Sequence, residues 1–168
     1  MKRRTYTLED FTVPETDLYE QQLVATIIQD FTLANEVLSI VKREMFSREE
    51  TLQIWDVFCD MYYKHEKIDM LTILPKVDKK YYFDNIVKAQ TEVTPSATLS
   101  LALSFLDTYI KRMAYYESVN ALRKITNGAP SDTIRDGFSS FTDRVMNGIG
   151  NKDGDTSVRI ANDHEDEL

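Results

Sequence analysis

One cysteine, two histidines and five glycines in a chain of 168 residues leave little room for several kinds of chemistry. Cys59 has no second thiol to pair with and falls on the apolar side of a helical pattern, where cysteine is core filler rather than nucleophile. His65 sits among charges and His164 in a polar tail, so no metal-ligand spacing links them. No G-x-x-x-x-G-K-[ST] occurs, which removes the usual phosphate cradle, and Gly148-Ile149-Gly150 lacks the third glycine and the preceding strand of a dinucleotide fingerprint. Asp153-Gly154-Asp155-Thr156-Ser157 begins like a calcium loop. Val158 and His164 stand where that loop needs glycine and glutamate. The paired carboxylates Glu49-Glu50 and Glu165-Asp166-Glu167 fall at a helix start and in the tail, where water solvates them. The expectation is therefore no catalytic, cofactor-binding or metal-binding residue.

Long apolar runs are missing too. No uncharged stretch approaches the roughly 20 residues that span a bilayer. Lys2, Arg3 and Arg4 are followed by charges instead of the apolar segment of a secretion signal, so a cytoplasmic protein with no membrane partner is expected. Nor is there an excess of basic residues: the net charge of −8 argues against a surface that works by neutralising phosphates. Half of that charge is local, since Ile149 to Leu168 holds six acids against Lys152 and Arg159.

What the chain does contain is helical periodicity. The stretch from Ser47 to Ile73 is the clearest case and is expected at the centre of a small core. Ser47 and Glu50 have the spacing of a capping box that would start a helix at Arg48. Leu52, Trp55, Phe58 or Cys59, and Met61 or Tyr62 then recur every three or four residues along one side. The charged run Lys64 to Lys67 closes that stripe, and Asp69 is placed to cap the next short segment.

Before it, residues 1–13 read as an arm. Pro14 suits a first helical turn, with Leu18, Leu23 or Val24, and Ile27 or Ile28 as its apolar stripe. A second short helix follows from Thr32, with Leu33, Val37, Leu38 and Val41 inside and Met45-Phe46 as a hydrophobic staple. After Pro75, Tyr81, Tyr82, Phe83, Ile86 and Val87 form another, ended by Thr91-Glu92-Val93. This gives a compact group of about five short helices over residues 14–90.

Thr94-Pro95 opens the longest periodic run, uninterrupted to Gly128. Leu99, Ala102, Leu106, Tyr109, Met113 and Tyr116 alternate steps of three and four like a heptad seam, while Leu101, Phe105 and Val119 lie on another side. Two apolar sides imply two neighbours. Gly128-Ala129-Pro130 ends the helix, Ser131 or Asp132 caps the next, and Ile134, Phe138, Phe141 and Val145 line it, so residues 95–147 form a long antiparallel helical hairpin. The seam fits a cap on the compact group and a self-pairing arm equally well. Residues 148–168, rich in Asn, Gly, Asp and Lys, read as a linker or disordered tail. The fold class is all-α, with residues 14–147 as one domain.

The segments Val13 to Ile28, Glu44 to Ser47, Gln53 to Phe58 and Lys67 to Ile73, taken in order, resemble the N-terminal domain of DnaB-type replicative helicases. The residues that carry the likeness are Pro14, Glu20, Gln21, Phe46, Trp55, Phe58 and the I-D-x-x-T run Ile68, Asp69, Thr72, with Pro95-Ser96-Ala97 as the family's P-S-A turn. Leu99 and Leu103-Ser104 depart from the family's Asn and Tyr-Ala, and its arginine falls off register at Arg112 or Arg123. The resemblance covers about residues 13 to 145.

What the resemblance implies is a domain that does no chemistry itself. In that family it oligomerises as a dimer and as a trimer of dimers in the hexamer. It receives primase or the helicase loader and meets DNA only through the full assembly, while ATP and Mg act in a following ATPase domain absent here. The tail from Gly148 would fit the linker to it. Leu106, Tyr109, Met113, Tyr116, Phe138 and Phe141 would then be the oligomer or partner interface. Two alternatives stand beside this: the helicase-binding domain of a primase, and a stand-alone helical protein-interaction module. An enzyme or ligand-binder with a site between helices would need convergent polar groups that the sequence does not offer.

Overall fold

The computed structural model describes residues 5–89 and 97–147. The readings placed on residues 1–4, on 90–96 with the Thr94-Pro95 opener, and on the tail from Gly148 lie outside the described residues. Seven α-helices and no strand occur among the described residues: α1 (Asp17–Gln29), α2 (Ala34–Ile40), α3 (Glu49–Tyr63), α4 (Met70–Ile73), α5 (Lys79–Tyr82), α6 (Thr98–Thr126) and α7 (Ser131–Met146). The first five form the compact group. The last two form the hairpin.

The centre of the core is α1, not α3. Seven of the 13 residues of α1 are buried, including Leu23, Val24, Ile27 and Ile28, and the helix packs against α3, α6 and the turn after α5. The α3 helix buries one side, through Thr51, Ile54, Trp55, Phe58 and Met61. Periodicity ranked α3 first because a one-sided stripe stands out. A helix buried nearly all round shows less contrast between its faces.

Helix starts differ from expectation for identifiable reasons. Pro14 stays outside α1, because its carbonyl accepts from Arg112 Nη1 of α6 at 3.3 Å and the approach is held as part of the arm. The α2 helix begins at Ala34, after a turn in which the Asp30 carboxylate accepts from the Thr32 amide at 3.0 Å and from its hydroxyl. Ser131 is the first residue of α7 and caps nothing with its side chain; Pro130 precedes it and its carbonyl accepts from Thr133 N.

Other local signals hold. Asp69 Oδ1 accepts from Leu71 N and Thr72 N, and Thr72 Oγ1 accepts from Asp69 N at 2.9 Å, so the I-D-x-x-T run is a reciprocal cap on α4. Asp78 caps α5 likewise, and α5 continues into a π-helical turn at Phe83–Val87. The end of α6 is a Schellman motif: Gly128 takes φ +73°, its N–H reaches Ile125 O, and Ala129 N reaches Lys124 O.

An aromatic chain roots the hairpin in the compact group. Phe46 stands 5.2 Å edge-on from Phe105 of α6 and 5.3 Å from Trp55, which stacks on Phe58 at 5.8 Å. Cys59 is half-buried against the same cluster, and burial pushes its thiol up to about 12, which leaves it unreactive.

Candidate interaction surface

The firmest polar construction in the molecule is buried. Glu20 is fully sealed, and Oε1 accepts from Ser47 N (2.9 Å), Arg48 N (3.2 Å) and Thr51 Oγ1 (2.9 Å). Oε2 accepts from Thr16 Oγ1 (2.6 Å) and Ser47 Oγ (2.7 Å). The expected Ser47–Glu50 capping box is therefore not made. Glu20 supplies the anion at the start of α3 from another helix, and Glu50 pairs with Arg48 at 2.7 Å instead. Next to it, Gln21 Nε2 donates to Asp84 O at 2.7 Å in the π turn. Adjacent side chains of α1 thus pin two neighbouring elements. With both carboxylate oxygens saturated, Glu20 locks structure and offers nothing to a substrate. Periodicity could not find it, since its donors come from a distant segment; only the family likeness singled it out.

The hairpin is built the opposite way. The base of α6 is sealed by Thr98, Ala102 and Phe105, whereas no residue of α7 is buried. Side-chain ends of α6 cover Gly137 of α7: a Cβ there would lie 2.6 Å from Glu117 Oε1. Of the six residues expected at an interface, Leu106 and Tyr109 are partly buried against the compact core. Burial, then the nearby Glu44 carboxylate, hold the Tyr109 phenol above its ordinary value. Met113 and Phe141 are half-buried, while Tyr116 and Phe138 are 50% and 43% exposed.

Met113, Tyr116 and Phe141 line one groove of about 650 Å³, together with Val119, Asn120, Arg123, Arg144 and, from the arm, Leu8 and Val13. Arg112 lies 5.5 Å over the Tyr116 ring, a cation–π contact at the foot of the groove. That the arm walls this groove, and that its rim is basic, was not anticipated. The signal was present, because the steps of three and four that run through Tyr116 continue to Asn120 and Arg123. Further apolar side chains, Leu122 and Ile125 of α6, are exposed on the hairpin as well.

No group of three or more His, Cys, Asp or Glu side chains that could hold a metal occurs among the described residues, and no described helix is long and apolar enough to cross a membrane. The described residues thus form a compact helical group that carries a half-sealed hairpin. The fold is similar to the crystal structure of the N-terminal domain of DnaB helicase from Mycobacterium tuberculosis, with a TM-score of 0.65 at 16% identity, covering 79% of this chain and 99% of that one. The family model described as DnaB-like helicase N terminal domain matches residues 13–111. No curated protein matches the sequence. The chain belongs to the DnaB-like helicase N-terminal domain family.

Proposed function

We propose that this chain is a non-catalytic pairing and docking module of a replicative DNA helicase in the cytoplasm. Two copies lie hairpin against hairpin, three such pairs form the collar of a hexamer, and a primase or helicase loader docks on it. DNA is met only through the whole assembly, and ATP and Mg act in an ATPase domain outside this sequence.

The observation that carries this reading is that α6 outruns the group it packs on. Leu106 and Tyr109 use the seam internally, while Tyr116, Leu122, Ile125 and Phe138 leave aromatic and aliphatic surface in water. Aromatic and aliphatic side chains of this kind, flanked by arginines, are what protein interfaces bury at their centres. At roughly 25 cal/mol per Å² even a modest patch contributes several kcal/mol before the cost of association is subtracted.

Sedimentation velocity of the wild type and of a Tyr116→Glu, Phe138→Glu variant tests the proposal. The wild type should show a concentration-dependent dimer, and the variant should be monomeric with its unfolding midpoint unchanged. A wild type that stays monomeric at every accessible concentration contradicts it.

A further inference from the structure

The arm is built as a small, preset knob. Asp10 Oδ2 accepts from the Thr7 amide at 2.6 Å and from its hydroxyl at 3.2 Å, and Phe11 N donates to Leu8 O at 3.2 Å. That turn holds the Tyr6 and Phe11 rings 5.8 Å apart, in contact with each other. Both rings nevertheless face water, at 57% and 52% exposure, and Glu9 between them is exposed as well. An aromatic pair ordered in advance and left half uncovered is an anchor whose ordering cost has already been met. The arm is fastened to α6 where the Pro14 carbonyl accepts from Arg112 Nη1, and Leu8 and Val13 wall the groove that holds Met113, Tyr116 and Phe141. Knob and groove therefore share an edge.

Their charges are opposite and do not meet. The knob carries Glu9 and Asp10, whereas the charged lining of the groove is Arg123 and Arg144 against Glu117. Leu8 lines the same groove as Arg123, yet neither its neighbour Glu9 nor Arg123 makes an ion pair among the described residues. One chain thus presents an acidic, aromatic knob beside a basic-rimmed, apolar groove, and neither satisfies the other.

We propose that the knob of each copy enters the groove of a second copy, with Tyr6 and Phe11 against Met113, Tyr116 and Phe141, and Glu9 against Arg123. This inference rests on the reading of the hairpin as a pairing surface. A two-fold contact is self-complementary: where residue i of one copy touches j of the other, j of the first touches i of the second. A knob and a groove on one edge meet that condition, since a single axis beside the edge forms both contacts at once. The occupant is a second copy for the same reason. An unrelated acidic segment would fill the groove and leave the knob in water, whereas a second copy covers both. Two rings from each copy, each with about half of its surface open, add roughly 300–500 Å² of contact. A stable interface buries roughly 1,200 Å² or more, so the hairpin faces supply most of it and the arms reinforce it.

The test is sedimentation velocity of the full chain as wild type, as Glu9→Lys and as Arg123→Glu. Both side chains are exposed, so circular dichroism and the unfolding midpoint should not move. Each reversal sets like charges against each other twice in a symmetric pair and should raise the dissociation constant of the dimer about tenfold. An equimolar mixture of the two variants should pair as tightly as the wild type to within about twofold, because in the mixed pair both contacts again join opposite charges. Phe11→Ser should loosen pairing about tenfold with every charge in place. Reversal variants that pair like the wild type overturn the proposal, and so does a mixture as weak as its components. Recovery when both reversals stand in one chain, but not in the mixture, overturns it as well, since the arm then closes its own groove. A wild type that never pairs contradicts the hairpin reading and this inference with it. A wild type that pairs and is indifferent to all three substitutions contradicts this inference alone.

Discussion

The base and the tip of α6 carry the same pattern and differ in burial. Where the helix lies on the compact group, Ala102 and Phe105 are sealed by α1, α2 and Phe46; about five turns later Leu122 and Ile125 are 48% and 57% exposed. The family match stops at residue 111, close to where the helix leaves the group. An amphipathic seam states that something covers it, and only the neighbouring helices decide whether the cover is the same chain. Burial, not periodicity, separates the core of this protein from its exposed seam.

Substitutions on either side of that contrast test it. The largest effect should come from the root: Phe58→Ala or Phe105→Ala removes a fully buried ring and should cost about 3–5 kcal/mol in denaturant unfolding. A cost near zero at Phe105 would mean that the hairpin is not anchored through it. Glu20→Ala comes next, because five donors lose their acceptor in a sealed site. A loss of roughly 3 kcal/mol is expected, with α3 fraying first in hydrogen exchange.

Smaller effects belong to the hairpin and the caps. Gly137→Ala should stabilise by about 0.5–1 kcal/mol, since helix propensity improves and the new Cβ meets only the movable ends of Glu117 and Lys124. A drop in melting temperature would show that Glu117 is held in place. Phe138→Ser should change stability by no more than about 0.5 kcal/mol while weakening pairing. At Asp69, the hydrogen bond donated by the Thr72 N–H, then the Lys67 and Leu71 contacts, hold the carboxyl below its ordinary 3.8. Its stabilisation is complete above that value and is lost as pH falls through the lowered one. Asp69→Asn should therefore flatten the acid limb of the stability profile below pH 3.8, and an unchanged limb would remove Asp69 from the account.

Much of the fold was legible in the sequence because its signals are local. The Asp69 cap, the glycine stop at Gly128 and the steps from Leu99 to Tyr116 each involve residues within a turn or two. What local reading mistook depends on distant groups. Ser47 has the right spacing from Glu50 for a box, yet its hydroxyl and amide go to Glu20, 27 residues earlier. The prominence of α1 was hidden because Ala25 and Thr26 are buried alongside its apolar stripe. At the candidate surface, the aromatic members were visible as a seam, but its division at Tyr109 was not, nor were Leu8, Val13, Arg123 and Arg144 as walls of one groove. Those depend on how the arm crosses α6, which no periodicity encodes.

Hydrogen exchange of the full chain at two widely separated concentrations sets the two halves of α6 against each other most directly. Amides of the compact group and of α6 up to Tyr109 should be slow at both, whereas those from Met113 to Thr126 and throughout α7 should slow markedly as concentration rises. Protection in the outer hairpin that is equal at both concentrations would contradict the claim that a second copy covers it.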